Sequence, residues 1–228
     1  MVSGRFAGAR VLVTSADAYM GPAISQRFRD EDAEVITDGG RYLEDAEEPA
    51  RIVAAAGQVD VLVINLAPTR VGSCAAQDQT EDQWQLMFDG MAHPTMRFTK
   101  AVLPQMIARR QGKIVVVTSA APLRGSPGAG AYSAARGAQN AYVRAVGAEA
   151  AQHNVQINAI GQNFVYGGYP ANAMEKPRLR EIVLRDVPAQ RLAEGWEQAE
   201  LVLFLASQNS NFISGQVIPF AGGWVTST

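Results

Sequence analysis

Short apolar runs alternate along the chain with longer segments whose apolar residues recur at helical spacing. The apolar runs predict strands over residues 10–13, 34–37, 60–64, 113–118, 156–160 and 216–220. The longer segments predict helices over residues 21–30, 47–56, 80–110, 130–153 and 196–207. Strands that alternate with helices and are apolar on both faces are typical of parallel sheets. The pattern therefore predicts an α/β fold with a doubly wound parallel sheet of six or seven strands, flanked by helices.

Local signals refine this prediction. Thr80 and Gln83 have the spacing of a helix capping box, and Pro94 should kink the long helix or mark a seam in it. The longest irregular stretch is predicted over residues 161–189, and a loop of that length is usually functional. Because no repeat, low-complexity tract or linker interrupts the pattern, residues 1–228 are predicted to form one domain.

Composition and charge exclude several classes of protein. The 228 residues are 47% hydrophobic and 18% charged, which excludes a disordered chain. A formal net charge of -2 gives no basic field for nucleic acid or an anionic membrane surface. With one cysteine, Cys74, and two histidines, we expect neither a disulfide nor a metal site. No apolar stretch suits a signal peptide or a membrane span, so we expect a cytoplasmic chain with no membrane partner.

Polar side chains follow the central strands of the predicted sheet. In such sheets the ligand lies beyond the carboxyl ends of the strands. Ser119 follows the strand at 113–118, while Tyr132 and Arg136 are four residues apart and share one helix face. Taken singly, Ser119 could merely end a strand and Tyr132 could be a half-buried core aromatic.

Taken together, Ser119, Tyr132 and Arg136 resemble the Ser-Tyr-Lys arrangement of the short-chain dehydrogenases/reductases, with arginine where lysine is usual. The likeness covers nearly the whole chain, through residues 60–63, 101–106, 155–159 and 215–223. It implies a Rossmann-like fold with a dinucleotide site at the turn after the first strand. Such a site needs glycines where the backbone approaches the pyrophosphate.

The expected dinucleotide contacts depart from that family. Ser15 and Tyr19 stand where glycines are usual, and a tyrosine ring there should occupy space that the cofactor needs. Met91 and the pair Gln162-Asn163 replace further contacts. The chain is also shortened between the second strand and the strand at residue 60, so a segment that would wall the adenosine side is missing. We therefore expect no nicotinamide cofactor.

Thr14, Tyr19 and Gly21 match a second group, the halohydrin dehalogenases, which also carry a Ser-Tyr-Arg arrangement. This resemblance implies cofactor-independent conversion of a vicinal haloalcohol to an epoxide with release of halide. In reverse, small anions such as azide, cyanide and nitrite would open the epoxide. The implied roles are a general base for Tyr132, orientation of the substrate oxygen for Ser119, and stabilisation of the phenolate for Arg136.

The same resemblance implies where halide and substrate would bind. The expected halide-binding residues are Tyr19, Gln162, Asn163, Phe164 and Val165, and the expected substrate pocket includes Pro68 and Leu123. Tyr19 could instead be only a plug in a vacated site. The resemblance further implies a homotetramer in which helices 80–110 and 130–153 pack across a two-fold axis. Two alternatives stay open: a reductase with a degenerate cofactor site, and a non-catalytic protein of the same fold.

Overall fold

A single sheet of six parallel strands runs through the computed structural model, which describes residues 4–38, 45–66 and 73–226. The strands are β1 (Arg10–Val13), β2 (Glu34–Thr37), β3 (Val61–Asn65), β4 (Gly112–Ser119), β5 (Val155–Gln162) and β6 (Val217–Phe220). Their order is β2-β1-β3-β4-β5-β6. The chain therefore winds outward in one direction from β1 and in the other from β3, as the predicted doubly wound sheet requires.

Two layers of helices cover this sheet. The helices are α1 (Gly21–Asp30), α2 (Glu48–Ala56), α3 (Glu81–Met87), α4 (His93–Arg109), α5 (Ala121–Arg124), α6 (Gly130–Ala151), α7 (Pro177–Asp186) and α8 (Gly195–Ala206). Helices α1 and α8 pack on one face, and α2, α4 and α6 pack on the other. Among the described residues between β2 and β3 there is one helix, α2, and no strand. The predicted α/β class is confirmed, with six strands.

The predicted long helix from Thr80 is divided. The capping box of Thr80 and Gln83 is present at the start of α3. The helix then widens into a π-helical turn at Phe88–Ala92 before α4 begins. Pro94 is the second residue of α4 and follows directly on this π-helical turn, so the seam that the sequence predicted falls at its N-terminal side.

The stretch predicted as irregular, residues 161–189, is largely ordered. Strand β5 continues to Gln162, and helix α7 occupies Pro177–Asp186. The apolar side chains of α7 pack with Phe164 and Leu192 into a small separate cluster. The prediction of a long loop was wrong because the few apolar residues of α7 are dispersed among charged ones. This helix forms one wall of the site described next.

Candidate active site

The turn between β1 and α1 has the positive φ values that glycines usually adopt, although Ser15 and Tyr19 occupy these positions. Ser15 and Tyr19 both have positive φ values, 45° and 58°. Residues with side chains rarely adopt this conformation, so other contacts must hold it. Asn65, buried at the end of β3, supplies them: its Nδ2 donates to the carbonyl oxygens of Ser15 at 3.0 Å and Ala18 at 3.1 Å. Asn65 thereby fixes the direction in which Tyr19 leaves the turn.

The Tyr19 side chain bridges the carboxyl edge of the sheet. Its Oη accepts a hydrogen bond of 2.5 Å from Nε2 of Gln162, the last residue of β5. The ring also packs against Gly168, where a Cβ atom would lie 2.9 Å from Tyr19 Cε2. The ring thus spans from the loop after β1 to the end of β5, although β3 and β4 lie between those strands in the sheet.

This position coincides with the place where such a sheet binds a dinucleotide. The ligand of a doubly wound sheet lies in the crevice where the strand order reverses, which here is between β1 and β3. Tyr19 starts from that crevice and crosses it. Its ring and its hydrogen bond to Gln162 take up the space that the dinucleotide would enter. The residues present therefore do not fit a nicotinamide dinucleotide, and no step below is routed through one.

Burial keeps the Tyr19 hydroxyl protonated. Desolvation raises the pKa of Tyr19 above its ordinary value, and the neighbouring Tyr132 and Tyr169 raise it further. The Arg136 cation and the Gln162 hydrogen bond act in the opposite direction but are outweighed. Tyr19 is therefore a neutral phenol at physiological pH, and it can donate a hydrogen bond to an anion.

Ser119 and Tyr132 face the same cavity as Tyr19. Ser119 is buried at the last position of β4, and its Oγ accepts the Ala121 N–H at 3.1 Å. That bond leaves the Ser119 proton available for a ligand. Tyr132 lies in the first turn of α6, and its ring packs beside Met87 and Met91. Two of the three catalytic candidates named from the sequence thus line the same cavity.

Arg136, one helical turn after Tyr132, is fully buried. Its guanidinium donates to the carbonyl oxygens of Val117 at 3.0 Å and Leu66 at 3.2 Å, and to Oε1 of Gln139 at 3.0 Å. All three acceptors are neutral, and within residues 4–38, 45–66 and 73–226 Arg136 forms no salt bridge with a carboxylate. Its Cζ lies 5.5 Å from the centroid of the Tyr132 ring. The cation therefore acts on Tyr132 without a neutralising counter-ion among these residues.

The cavity that these residues share has a volume of about 640 Å³. Tyr19, Ser119, Tyr132 and Gln162 line its inner part, and Asn163 and Phe164 continue the wall. Phe164 stacks on Tyr169, with ring centroids 5.8 Å apart, and meets the edge of Trp224 at 6.2 Å. Arg124, whose Cζ lies 4.7 Å from the centroid of the Trp224 ring, also lines the cavity.

Two of the described residues that were predicted for the pockets, Val165 and Leu123, do not line this cavity. Val165 is buried in the core beneath α1 and α8, because its β-bridge with Ala193 turns the side chain inward. Leu123 packs on the core beside Gly161, so its neighbours on α5, Ala121 and Arg124, line the cavity instead. Pro68 lies outside the described residues.

Several residues at the cavity were not predicted from the sequence. Trp224 and the α7 residues Ile182 and Asp186 line the cavity. Gln198, fully buried on α8, donates from its Nε2 to Oε1 of Gln162. A buried glutamine among the apolar residues of α8 was a signal that the sequence did offer.

No cluster of three metal-ligating side chains occurs among the residues placed in the structure. None of the helices described is both long enough and apolar enough to cross a membrane.

Known proteins share both the sequence pattern and the fold. The chain is 31% identical over 190 residues to the 3-oxoacyl-(acyl-carrier-protein) reductase FabG of Thermotoga maritima, covering 83% of this chain and 74% of that protein. A solved structure named "Dehalogenation enzyme" superposes with a TM-score of 0.89 at 27% identity, covering 96% of this chain and 99% of that one.

Another solved structure, halohydrin dehalogenase (HheC) bound to ethyl (2S)-oxiran-2-ylacetate, superposes with a TM-score of 0.86 at 24% identity. The match covers 96% of this chain and 98% of that one, and at this identity it demonstrates a shared fold. Residues 7–225 match the family model described as enoyl-(acyl carrier protein) reductase. The chain therefore belongs to that family, and with it to the short-chain dehydrogenase/reductase superfamily of enzymes.

Proposed function

We propose that this enzyme converts vicinal haloalcohols to epoxides and halide without a nicotinamide cofactor. The observation that carries the proposal is the Tyr19 ring, which spans the crevice from the first turn to Gln162. A reductase needs that crevice for its hydride donor. Ser119, Tyr132 and Arg136 nevertheless stand around the cavity in an arrangement that can still remove a proton from an alcohol.

In the proposed reaction the Tyr132 phenolate accepts the proton of the substrate hydroxyl. The electron pair of that oxygen forms a bond to the neighbouring carbon as the carbon–halide bond breaks, giving an epoxide and a halide ion. The proton then passes from Tyr132 to solvent. Ser119 donates its hydrogen to the substrate oxygen and holds it opposite the leaving halide, which lowers the barrier by orientation.

In this proposal Arg136 supplies positive charge beside the base: its Cζ lies 5.5 Å from the centroid of the Tyr132 ring. Because the guanidinium is bound only by neutral acceptors among the described residues, this field is not cancelled locally. An arginine also stays charged when buried, whereas a lysine can lose its proton.

The halide would leave toward Tyr19. Its neutral phenol can donate a hydrogen bond to the anion, and the aromatic ring edges of the cavity carry positive potential. Asn163 and Phe164 form the adjoining wall of the cavity. The solved structure named "Dehalogenation enzyme", 27% identical to this chain, supports the proposal that the reaction releases halide.

The test is release of bromide from a small vicinal bromohydrin, such as 1-bromo-2-propanol, in the absence of any nicotinamide. We expect stoichiometric epoxide and bromide. The matched control is Tyr132→Phe, which keeps the ring packing and removes the base. Failure of the wild-type enzyme to release bromide above the control would overturn the proposal.

The similarity to FabG favours a second candidate function, reduction of a carbonyl group with NADPH. The same preparation, given acetoacetyl thioesters and NADPH, distinguishes the two. Oxidation of NADPH together with no bromide release would replace the dehalogenase assignment by a reductase with an altered cofactor site.

A further inference from the structure

A chain of two buried amides extends from helix α8 to the cavity. Gln198 is fully buried, and its Nε2 donates to Oε1 of Gln162. Gln162, itself buried at the end of β5, uses its Nε2 to donate to Tyr19 Oη at 2.5 Å. The Tyr19 oxygen therefore receives a hydrogen bond from the protein side.

The donor and acceptor order of these two hydrogen bonds determines whether Tyr19 can donate its own proton to a ligand. A phenol oxygen that accepts one hydrogen bond still has its own proton to donate. Among the described residues Tyr19 has no acceptor for that proton, and its side chain lines the cavity. If the Gln162 amide were reversed, its carbonyl oxygen would take the Tyr19 proton, and no donor would remain for a ligand.

Gln198 holds the Gln162 amide in the orientation in which its NH₂ group donates to Tyr19. It offers Gln162 an N–H, so the Gln162 carbonyl must face α8 and the Gln162 NH₂ group must face Tyr19. Gln198 Oε1 is buried and has no hydrogen-bond partner among the residues described. If both glutamine amides were reversed, the N–H donors of Gln198 would instead be buried and unpaired. Unpaired buried N–H groups are rarer in folded proteins than unpaired carbonyl groups.

We propose that Gln198 is a positioning residue: it orients the Gln162 amide so that Tyr19 accepts from Gln162 and directs its own proton to the leaving halide. This inference rests on the proposed function. It adds a residue remote from the substrate that sets the affinity of the site for anions. Gln198 acts on binding and release of halide, and not on the proton transfer at Tyr132.

The experiment measures the bromide dissociation constant from the dependence of the melting temperature on bromide concentration, at constant ionic strength. We expect Tyr19→Phe, which removes the donor, to raise this constant about tenfold. Gln198→Leu should raise it several-fold, and Gln198→Glu should raise it at least as much as Tyr19→Phe. A glutamate in this place accepts from Gln162 and so reverses the amide.

A double variant separates orientation from general disruption. In the Tyr19→Phe background, Gln198→Leu should change the bromide constant less than twofold, because there is no phenol proton left to direct. The matched control is Gln156→Leu, which removes another buried glutamine of β5 that does not line the cavity. This control should leave the bromide constant of the wild type unchanged. Gln198→Met, similar in length, replaces the leucine variant if that protein does not fold.

The inference and the proposed function fail differently. If the wild type releases and binds bromide while Gln198→Leu binds it equally well, Gln198 has no positioning role and the function stands. An effect of Gln198→Leu that persists in full in the Tyr19→Phe background also overturns the inference. If the wild type neither binds bromide nor releases it, the proposed function itself is overturned.

Discussion

The two sides of the cavity have diverged from the family pattern in different ways. On the α6 side, Ser119 and Tyr132 keep the residue types expected from the resemblance, and Arg136 stands where a lysine is usual. On the β1 side the backbone keeps a glycine-like turn, with positive φ at Ser15 and Tyr19, but a side chain fills the crevice. The backbone of the turn after β1 has thus been kept while the side chain at position 19 has changed, and the proposed function depends on that change.

The two tyrosines that line the cavity, Tyr19 and Tyr132, have different electrostatic surroundings. Tyr132 stands beside the Arg136 guanidinium, which lacks a carboxylate partner in the described chain. Tyr19 is held by a neutral amide, and burial raises its pKa. The proposed function assigns the role of base to Tyr132 and the role of neutral hydrogen-bond donor to Tyr19. The predictions below test this division of roles.

Removal of the Tyr132 hydroxyl should produce the largest effect. Tyr132→Phe should lower the rate of bromide release from a bromohydrin by about 10³-fold, since a general base of this kind contributes 10²- to 10⁴-fold. Bromide affinity should change little, because the proposed function places the halide beside Tyr19. The measurement is steady-state halide release together with bromide-dependent melting. Loss of bromide affinity in this variant would contradict the assignment of proton transfer to Tyr132 and of halide binding to Tyr19.

Removal of the Ser119 hydroxyl, which lies on the same side of the cavity as Tyr132, should lower the reaction rate by a smaller factor. Ser119→Ala should lower kcat/KM by about 10²-fold, as expected for the loss of one oriented donor to the reacting oxygen. The fold should be retained, because Ser119 makes one local bond, to Ala121 N–H. Circular dichroism and melting temperature check the fold. A decrease of less than threefold would contradict the role given to Ser119.

The smallest expected effect is the pH dependence of anion binding. In the Tyr132→Phe variant, the bromide dissociation constant should stay constant between pH 6 and pH 10. The reason is that burial raises the pKa of Tyr19 above its ordinary value near 10, so the proton is retained throughout this range. A phenol with an unshifted pKa would be half ionised at pH 10, and affinity would fall about twofold there. Such a fall would show that Tyr19 is not kept neutral.

Much of the fold was readable from the sequence because the strands are continuous apolar runs. Buried strands such as β4 carry apolar residues on both faces and end at polar ones, so their limits were close to those observed. Helix α7 was missed although Leu179, Ile182 and Val183 have helical spacing, because they cover only one turn among charged residues and their partner, Phe164, is distant in sequence. Its stability comes from tertiary packing, which local pattern does not encode.

The positions of Ser119, Tyr132 and Arg136 were easier to predict than the walls of the cavity, and their catalytic roles stay a prediction. Ser119, Tyr132 and Arg136 are fixed by strand ends and helix spacing, which the sequence contains. The orientations of Val165 and Leu123 depend on a bridge to Ala193 and on packing beside Gly161, contacts that join distant parts of the chain. Gln198 was detectable in principle, as a polar residue on the buried face of α8.

The most direct test of the central claim is a calorimetric titration of the wild-type protein with NADH and with NADPH. If the Tyr19 ring and its bond to Gln162 fill the crevice, neither dinucleotide should bind at concentrations up to about 1 mM. A dissociation constant in the micromolar range for either one would contradict the account, because the ring would then have to leave the position on which the proposed chemistry depends.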